Sequence, residues 1–347
     1  MVWGNKSHFQ PVPIHGTRSG IIYCDMGLIP LTDIPGKTDI LETAEQIRAM
    51  IHRTPVMTSS TLDGMAGASL FFKCENFQKI GAFKMRGAAS AGIRLSEAGR
   101  SRGLATHSSG NHAQAVAKTA QILGIPAYIV MPANAPAIKQ AATAGYGAEI
   151  ILCAPTQEAR ERALEETVRR TGAHFIHPYN DYNVIAGQAT AALELIESAG
   201  PLDFVLAPVG GGGLLSGTAL SCRYFSSGCK VIGAEPERVD DAWRAFHSGR
   251  IETNPSTDTV ADGLRTTLGD KTFGIIRTHV DDILTVSEDA IIEAMRIIWE
   301  RMKIIIEPSC AVPYAVVRCN PGIFEGKRVG IVLTGGNVDL GSLPFCQ

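Results

Sequence analysis

The sequence predicts an α/β protein built from two open, twisted, mostly parallel sheets flanked by helices. Three observations carry that expectation. Short apolar runs alternate with helical stretches through most of the chain, the pattern of parallel sheets covered by helices. The 347 residues and 45% hydrophobic content suffice for two such units rather than one. Residues able to hold charged ligands recur where strands hand over to helices, and ligands of parallel sheets bind at the carboxyl ends of strands.

The elements follow in order. Residues 1–37 are rich in Gly, Pro, His and Ser without a helical period, and read as an irregular N-terminal arm. Thr38 is the N-cap candidate of a first helix with Leu41, Ala44, Ile47 and Ile51 on one face, ended by Arg53-Thr54-Pro55. A strand at Leu70–Cys74 and a helix at Ala88–Leu95 come next. Further strands are read at 104–106, 127–131, 149–153, 174–176, 203–208, 231–234, 283–286 and 328–333. The helices between them fall at 111–123, up to 144, and at 157–170, 184–198, 214–224 and 288–302. No repeat of fixed period is present.

Composition narrows the function classes. A net charge of −2 gives no electrostatic footprint for nucleic acid or an anionic membrane. No apolar run reaches membrane-spanning length and the N-terminus has no secretory apolar region. The eight cysteines form no C-x-x-C pair, which fits a reducing, cytoplasmic setting.

Five stretches carry chemistry. In Gly81-Ala82-Phe83-Lys84-Met85-Arg86-Gly87, a lysine sits between strand and helix with glycines on both sides. An amine held in an apolar pocket loses solvation, its pKa falls, and it can condense with an aldehyde cofactor. A surface lysine at a helix start fits the heptapeptide equally well. In Ser108-Ser109-Gly110-Asn111-His112, small and amide residues open a helix whose free N–H groups suit a carboxylate, or simply cap it. Gly210-Gly211-Gly212-Gly213-Leu214 reads as a phosphate cradle. It lacks the residues of a P-loop and does not match G-x-G-x-x-G, which disfavours ATP and dinucleotides. Thr334-Gly335-Gly336-Asn337 ends the last strand and offers a neutral hydroxyl where an acid could stand. Glu235 and Asp241, six residues apart, fit either a hard cation or a solvated acidic helix start.

Taken together, Asn76 to Gly87, Ser108 to Ala115, the tetraglycine and Thr334 to Asn337 resemble the serine/threonine dehydratase and serine racemase family. Its members are pyridoxal-phosphate enzymes of the tryptophan-synthase-β fold. The resemblance runs from about residue 38 to 340. The segments Phe72 to Phe77, Ala234-Glu235-Pro236 with Asp240-Asp241, and Trp299 to Lys303 are most similar to the serine racemase and 3-hydroxyaspartate dehydratase branch.

The resemblance implies a large cofactor-binding domain of residues 38–102 and 181–347, with a small mobile domain of residues 103–180 inserted in it. It implies that Lys84 carries the cofactor covalently with Phe83 packed beside the ring and Asn111 bonded to the ring hydroxyl. Gly210, Gly211, Gly212, Gly213 and Leu214 would hold the phosphate, and Thr334 would meet the pyridine nitrogen. Ser108, Ser109, Asn111 and His112 would face the substrate carboxylate, with Arg160 reaching a carboxylate as well. Ser109 takes the place of the racemase's second acid–base group, opposite the lysine. Glu235, the Val239 carbonyl and Asp241 would bind Mg²⁺, Ca²⁺ or Mn²⁺. The expected activity is β-elimination from L-serine, L-threonine or 3-hydroxyaspartate to a 2-oxo acid and ammonia by a homodimer. Racemisation is the alternative, and a non-catalytic amino-acid sensor is the alternative from another class. The run Ser309-Cys310-Ala311-Val312-Pro313 departs from the family's small-residue run with Gly, and Pro313 is expected in a first helical turn.

Overall fold

The computed structural model describes residues 29–135 and 137–345; residues 1–28 of the expected arm, with Cys24, lie outside them, as does Cys346. The chain runs α1 (Lys37–Ile47), β1 (Val56–Met57), α2 (Ser60–Ala66), β2 (Ser69–Cys74), α3 (Lys84–Ile93), α4 (Glu97–Arg102), β3 (Leu104–His107), α5 (Asn111–Leu123), β4 (Ala127–Pro132) and α6 (Ala137–Ala144). It continues with β5 (Glu149–Cys153), α7 (Gln157–Thr171), β6 (His174–Phe175), α8 (Tyr182–Ala199), β7 (Phe204–Pro208), α9 (Gly213–Phe225) and β8 (Lys230–Pro236). The last elements are α10 (Asp241–Ser248), α11 (Asp270–His279), β9 (Asp282–Val286), α12 (Glu288–Met302), α13 (Pro308–Cys319), α14 (Pro321–Phe324) and β10 (Arg328–Leu333).

Two sheets result. The larger has the order β1-β2-β10-β7-β8-β9, and the smaller β5-β4-β3-β6. Every pairing is parallel except β1 with β2. In the large sheet β10 is central, pairing Ser69–Cys74 on one side and Phe204–Leu206 on the other. Strands β2, β7 and β10 are apolar at nearly every position because helices cover both faces. Phe72, Leu206, Ile298, Tyr314 and Leu333 pack on one face, and Leu195, Val205, Leu215 and Val332 on the other. The small sheet has its own core of Leu104, Val116, Ile129 and Met131.

Helices α3, α8 and α9 meet through glycine. A Cβ on Gly187 of α8 would stand 2.4 Å from the Arg86 carbonyl oxygen of α3, and one on Gly217 of α9 would stand 2.6 Å from the Ala189 backbone nitrogen of α8. Backbones therefore touch directly along this seam.

Beneath α3 lies a buried ion network. Arg86, fully buried, donates to both oxygens of Glu75 at 2.7 and 2.8 Å and to both of Glu194 at 2.9 and 2.8 Å. Lys73 donates to Glu194 and to the Thr54 carbonyl, each at 2.6 Å. Burial works against ionisation of Glu75, but the paired Arg86 charge outweighs it and holds the carboxyl below its ordinary range.

Some expected elements differ. The first helix is capped at Gly36, whose N–H donates to the Asp39 carboxylate at 2.8 Å, rather than at Thr38. Its inner face is Ile40, Thr43 and Ile47, while Leu41 is 45% exposed; the helix stops at Ile47, before Arg53. Pro308 opens α13 at its first position, so Pro313 falls in the second turn instead of the first. Helices α2, α4, α11 and α14 are not among the expected elements, α10 is expected only as the alternative acidic helix start near Asp241, and α13 only through the turn at Pro313. Helices α2, α4 and α14 are short, and α13 is buried along nearly its whole length, so no single apolar stripe marks it; α10 and α11 do carry a one-sided buried face.

Candidate active site

The lysine loop is held by the turn that follows β10. Ile80 and Gly81 take left-handed φ values of 62° and 70°, a conformation that costs a β-branched residue energy and needs outside support. Asn337 supplies it, donating from Nδ2 to the Ile80 carbonyl at 2.7 Å. Gly336 N–H donates to the Gly81 carbonyl at 3.0 Å, Ala82 bridges Gly335, and Phe83 N–H donates to the Thr334 carbonyl at 3.0 Å. Lys84 thus opens α3 at a fixed point. Its Nζ donates to the Pro178 carbonyl at 2.8 Å and lies 5.1 Å from the Phe83 ring centroid. Burial pushes the amine down to about 8, against the pull of Glu307.

Across from Lys84, the same Asn337 amide also donates to Asn111 Oδ1 at 2.8 Å, and Asn111 Nδ2 donates to both Glu307 oxygens at 3.0 and 3.2 Å. Burial raises Glu307 to about 7, with the Asp262 charge adding to it. Glu307 and Asn337 carry the site's architecture, yet neither received a role from sequence. The one signal for Glu307 is its position just before the proline that opens a helix.

Thr334 is 3% exposed, and the one polar side-chain group its hydroxyl meets is the weakly accepting Cys310 thiol. Cys310 of α13 packs beside it, its thiol pushed far up by burial. Sulfur is a weak acceptor, so this hydroxyl has hydrogen-bonding capacity left for a ligand atom.

The tetraglycine between β7 and α9 is a cradle that side chains would fill. A Cβ on Gly211 would stand 2.2 Å from the Tyr179 ring, and one on Gly213 2.9 Å from Tyr179 Cβ. Gly212 has φ 85°. Gly213 begins α9, so its N–H and those of the next residues have no carbonyl within the helix and face outward with the helix dipole behind them. Leu214, buried in the first turn, anchors the helix. Replacing Gly211 with alanine is expected to lower cofactor affinity on the order of 10–100-fold, because Tyr179 must be displaced. Titration of the apoprotein followed by absorbance measures it.

The remaining expected residues divide. Ser108 and half-buried Ser109 lie in the loop before α5, where Gly110 N–H donates to Ser108 Oγ at 3.3 Å. His112 is buried with Nε2 3.0 Å from the Ile176 carbonyl. That oxygen only accepts, so Nε2 carries the proton. Burial and then the Lys84 charge push the ring down to about 3. Neutral and with its one N–H committed, the His112 side chain cannot donate to a carboxylate; its backbone N–H at the start of α5 remains suited to one. Arg160 donates to Gln157 of its own helix at 2.7 Å, and its charge, after burial, lowers the pKa of His107. From His107 a ladder of rings runs through Phe175 and His177 to Tyr179, at centroid spacings of 5.9, 5.6 and 4.7 Å. It links Arg160's surroundings to the glycine cradle.

Further along β8, Glu235 accepts from the N–H groups of Ala242 and Trp243 at 3.0 and 2.8 Å. Asp241 is buried; Oδ1 accepts from Asn254, while Oδ2 has no partner. Burial and then mutual repulsion raise Glu235 well above its ordinary range. Among the described residues no cluster of three or more His, Cys, Asp or Glu side chains could hold a metal ion, so a cation here would need the Val239 carbonyl as well as the two carboxylates.

A desolvated lysine, a spare hydroxyl and a glycine cradle, set at the carboxyl ends of parallel strands, define an enzyme that binds a phosphorylated aldehyde cofactor. Residues 47–335 match the pyridoxal-phosphate dependent enzyme family. The chain is 48% identical over 312 residues to beta-hydroxyaspartate dehydratase of Paracoccus denitrificans, covering 90% of this chain and 99% of that one. It is 47% identical over 308 residues to L-threo-3-hydroxyaspartate ammonia-lyase of Saccharomyces cerevisiae, covering 88% and 94%. The fold matches the crystal structure of serine racemase from Dictyostelium discoideum with a TM-score of 0.85 at 46% identity, covering 88% of this chain and 99% of that one. The chain belongs to the pyridoxal-phosphate dependent enzyme family.

Proposed function

We propose that the chain eliminates water and releases ammonia from a β-hydroxy amino acid (3-hydroxyaspartate, L-serine or L-threonine), leaving a 2-oxo acid. The observation that carries this reading is the pairing of a buried lysine amine held at about 8 with a neutral, buried hydroxyl at Thr334 that meets no charged group. When bound, the cofactor supplies an aldehyde for the amine of lysine or substrate and a ring that accepts electrons from the α-carbon. Lys84 would hold it, Phe83 would pack on it, Asn111 would bond its ring hydroxyl and Gly210 to Gly213 its phosphate.

Lys84, once released, is the base for the α-proton; an amine with a pKa near 8 is partly neutral at physiological pH. Thr334 would meet the ring nitrogen with a neutral hydroxyl, which would not keep a full positive charge there. That restraint on electron withdrawal favours prompt loss of the β-hydroxyl. Ser108, Ser109, Asn111 and the N–H of His112, at the positive end of α5, orient the substrate carboxylate.

Arg160 supplies positive charge for a second carboxylate, beside a His107 whose ring burial and Arg160 keep from ionising, which favours 3-hydroxyaspartate over serine. Relatives named for hydroxyaspartate support the same choice. Purified holoenzyme should release ammonia and oxaloacetate from a 3-hydroxyaspartate isomer faster than pyruvate from serine. Arg160→Ala should raise KM for the dicarboxylate roughly 10–100-fold while leaving that for serine unchanged. No 2-oxo acid from any of the three substrates, with cofactor retained, overturns the proposal.

Racemisation is the second reading, favoured by Ser109 at the start of α5 and by relatives named serine racemase. Ser109→Ala should abolish racemisation and spare elimination from one enantiomer, as chiral chromatography of the residual substrate measures. Unchanged racemisation removes Ser109 from this role.

Glu235, the Val239 carbonyl and Asp241 would hold Mg²⁺, Ca²⁺ or Mn²⁺, since the unpartnered, buried Asp241 oxygen calls for a cation. The ion would neutralise two buried carboxylates and thereby fix β8 against α10. We place the enzyme in the cytoplasm as a homodimer, on its cysteine usage and its resemblance to the family. No helix among the described residues is long and apolar enough to cross a membrane.

A further inference from the structure

At the end of α9 opposite the glycine cradle, two cysteines lie close together. Cys222 lies in the last turn of α9 and Cys229 just before β8. A tight reversal joins them. Ser226 N–H donates to the Cys222 carbonyl at 2.9 Å, Cys229 N–H donates to the Ser226 carbonyl at 3.1 Å, and Gly228 takes φ 82° to complete the turn. The Cys229 thiol donates to the Lys230 carbonyl at 3.7 Å, and the two sulfurs are near enough for each to shift the other's ionisation. Both line a cavity of about 230 Å³, whose walls also include Arg223, His279 and Asp281. Cys222 is 1% exposed and Cys229 half-buried, so a reagent in the cavity reaches Cys229 first.

The site has the chemistry of a reactive pair. The neighbouring Cys222 thiol favours a thiolate on Cys229 and, despite burial and the Asp281 charge, lowers its pKa; the same neighbour, with burial and Asp281, raises that of Cys222. Arg223 beside the cavity adds positive charge. Nothing in the proposed reaction uses either thiol.

We propose that Cys222 and Cys229 are a redox-sensitive dithiol that a peroxide converts into a disulfide, stapling the end of α9 to the start of β8. The Cys229 thiolate attacks one peroxide oxygen, the O–O bond breaks, and a sulfenic acid forms with loss of hydroxide. The Cys222 sulfur then attacks the Cys229 sulfur, its proton goes to the departing hydroxide, and water leaves. Two thiols are oxidised by two electrons and one hydrogen peroxide is reduced to two waters. The tight reversal and the shared cavity wall hold the two side chains on one side of the turn, where side-chain rotation brings the sulfurs to the ~2.05 Å of an S–S bond.

The staple closes a short loop at the far end of the helix whose first turn forms the cofactor cradle. Oxidised holoenzyme should therefore keep its cofactor and melt roughly 5 °C higher. The test treats holoenzyme with graded hydrogen peroxide, then counts free thiols and maps peptides by mass spectrometry. The expected result is early loss of two thiols, a 222–229 segment lighter by two hydrogens, and full reversal by dithiothreitol. Cys229→Ser should remove the early phase. Cys222→Val, which keeps the buried volume, should leave Cys229 as a sulfenic acid trappable by dimedone. Early thiol loss that is identical in Cys229→Ser and the parent protein overturns the proposal. So does a Cys229 that over-oxidises to sulfonic acid in the parent protein while Cys222 stays reduced.

Discussion

Lys84→Ala protein should fold, purify without the visible absorbance of bound cofactor, and turn over β-hydroxy amino acids on the order of 10⁴-fold more slowly than the parent. The size of the loss follows from two roles converging on one atom. Nζ is both the covalent anchor for the aldehyde and the base for the α-proton, and its surroundings are built for an amine of lowered pKa. The Pro178 carbonyl accepts its one recorded hydrogen bond; a carbonyl, unlike a carboxylate, leaves the amine free to lose its proton. Alanine at the first position of α3 costs the helix nothing, so circular dichroism should be unchanged. That separates a chemical defect from a folding defect. Turnover within tenfold of the parent would remove Lys84 from the mechanism.

Arg86→Met should lose about 3–5 kcal/mol of stability. Methionine fills the volume but strands Glu75 and Glu194 in a site where Arg86 makes four of their charge-assisted hydrogen bonds. Arg86→Lys should fall between the two, because an ammonium cannot span both carboxylates as the planar fork does. Urea unfolding of the cofactor-free protein provides the measurement, and a loss under 1 kcal/mol for the methionine variant would show that the network is dispensable. The pH dependence has a defined sign. Glu75 is held below its ordinary value in the folded state. Its contribution is therefore complete above the unfolded carboxyl value of about 4.3 and is lost as pH falls from there through the depressed folded value.

The site's chemistry-bearing residues could be read from the chain because each lies in a short, compositionally unusual segment. A lysine between glycines, four glycines after an apolar strand, and Ser-Ser-Gly-Asn-His before a helix each announce a backbone need that only those residues meet. The parallel architecture was legible for the same reason: β7, β8 and β10 are apolar on both faces, and helices α5 and α12 carry clear caps and stripes.

What could not be read is what pairs at long range. Arg86, Glu75, Lys73 and Glu194 look like ordinary charges of a strand, a turn and two helices, since burial of a charge is decided by partners up to 121 residues away. Asn337 and Glu307 escaped notice likewise, because their partners at Ile80 and Asn111 stand some two hundred residues off. His112 shows the opposite error. Its position was legible but its direction was not, and the Ile176 carbonyl claims the one proton the ring can give.

The glycine seam between α3, α8 and α9 also shapes how this sequence can drift over generations. At most core positions, one apolar side chain can replace another of similar volume with modest loss. Along the seam there is no such latitude: at Gly187 and Gly217 even a single methyl group would meet backbone rather than a yielding side chain. The lysine-bearing and phosphate-facing helices are thereby spaced at these two points by main-chain contact. Descendants of this chain are free to vary the ring ladder, the rim and Arg160, and so to explore new substrates, while the distance between Lys84 and the cradle is inherited unchanged.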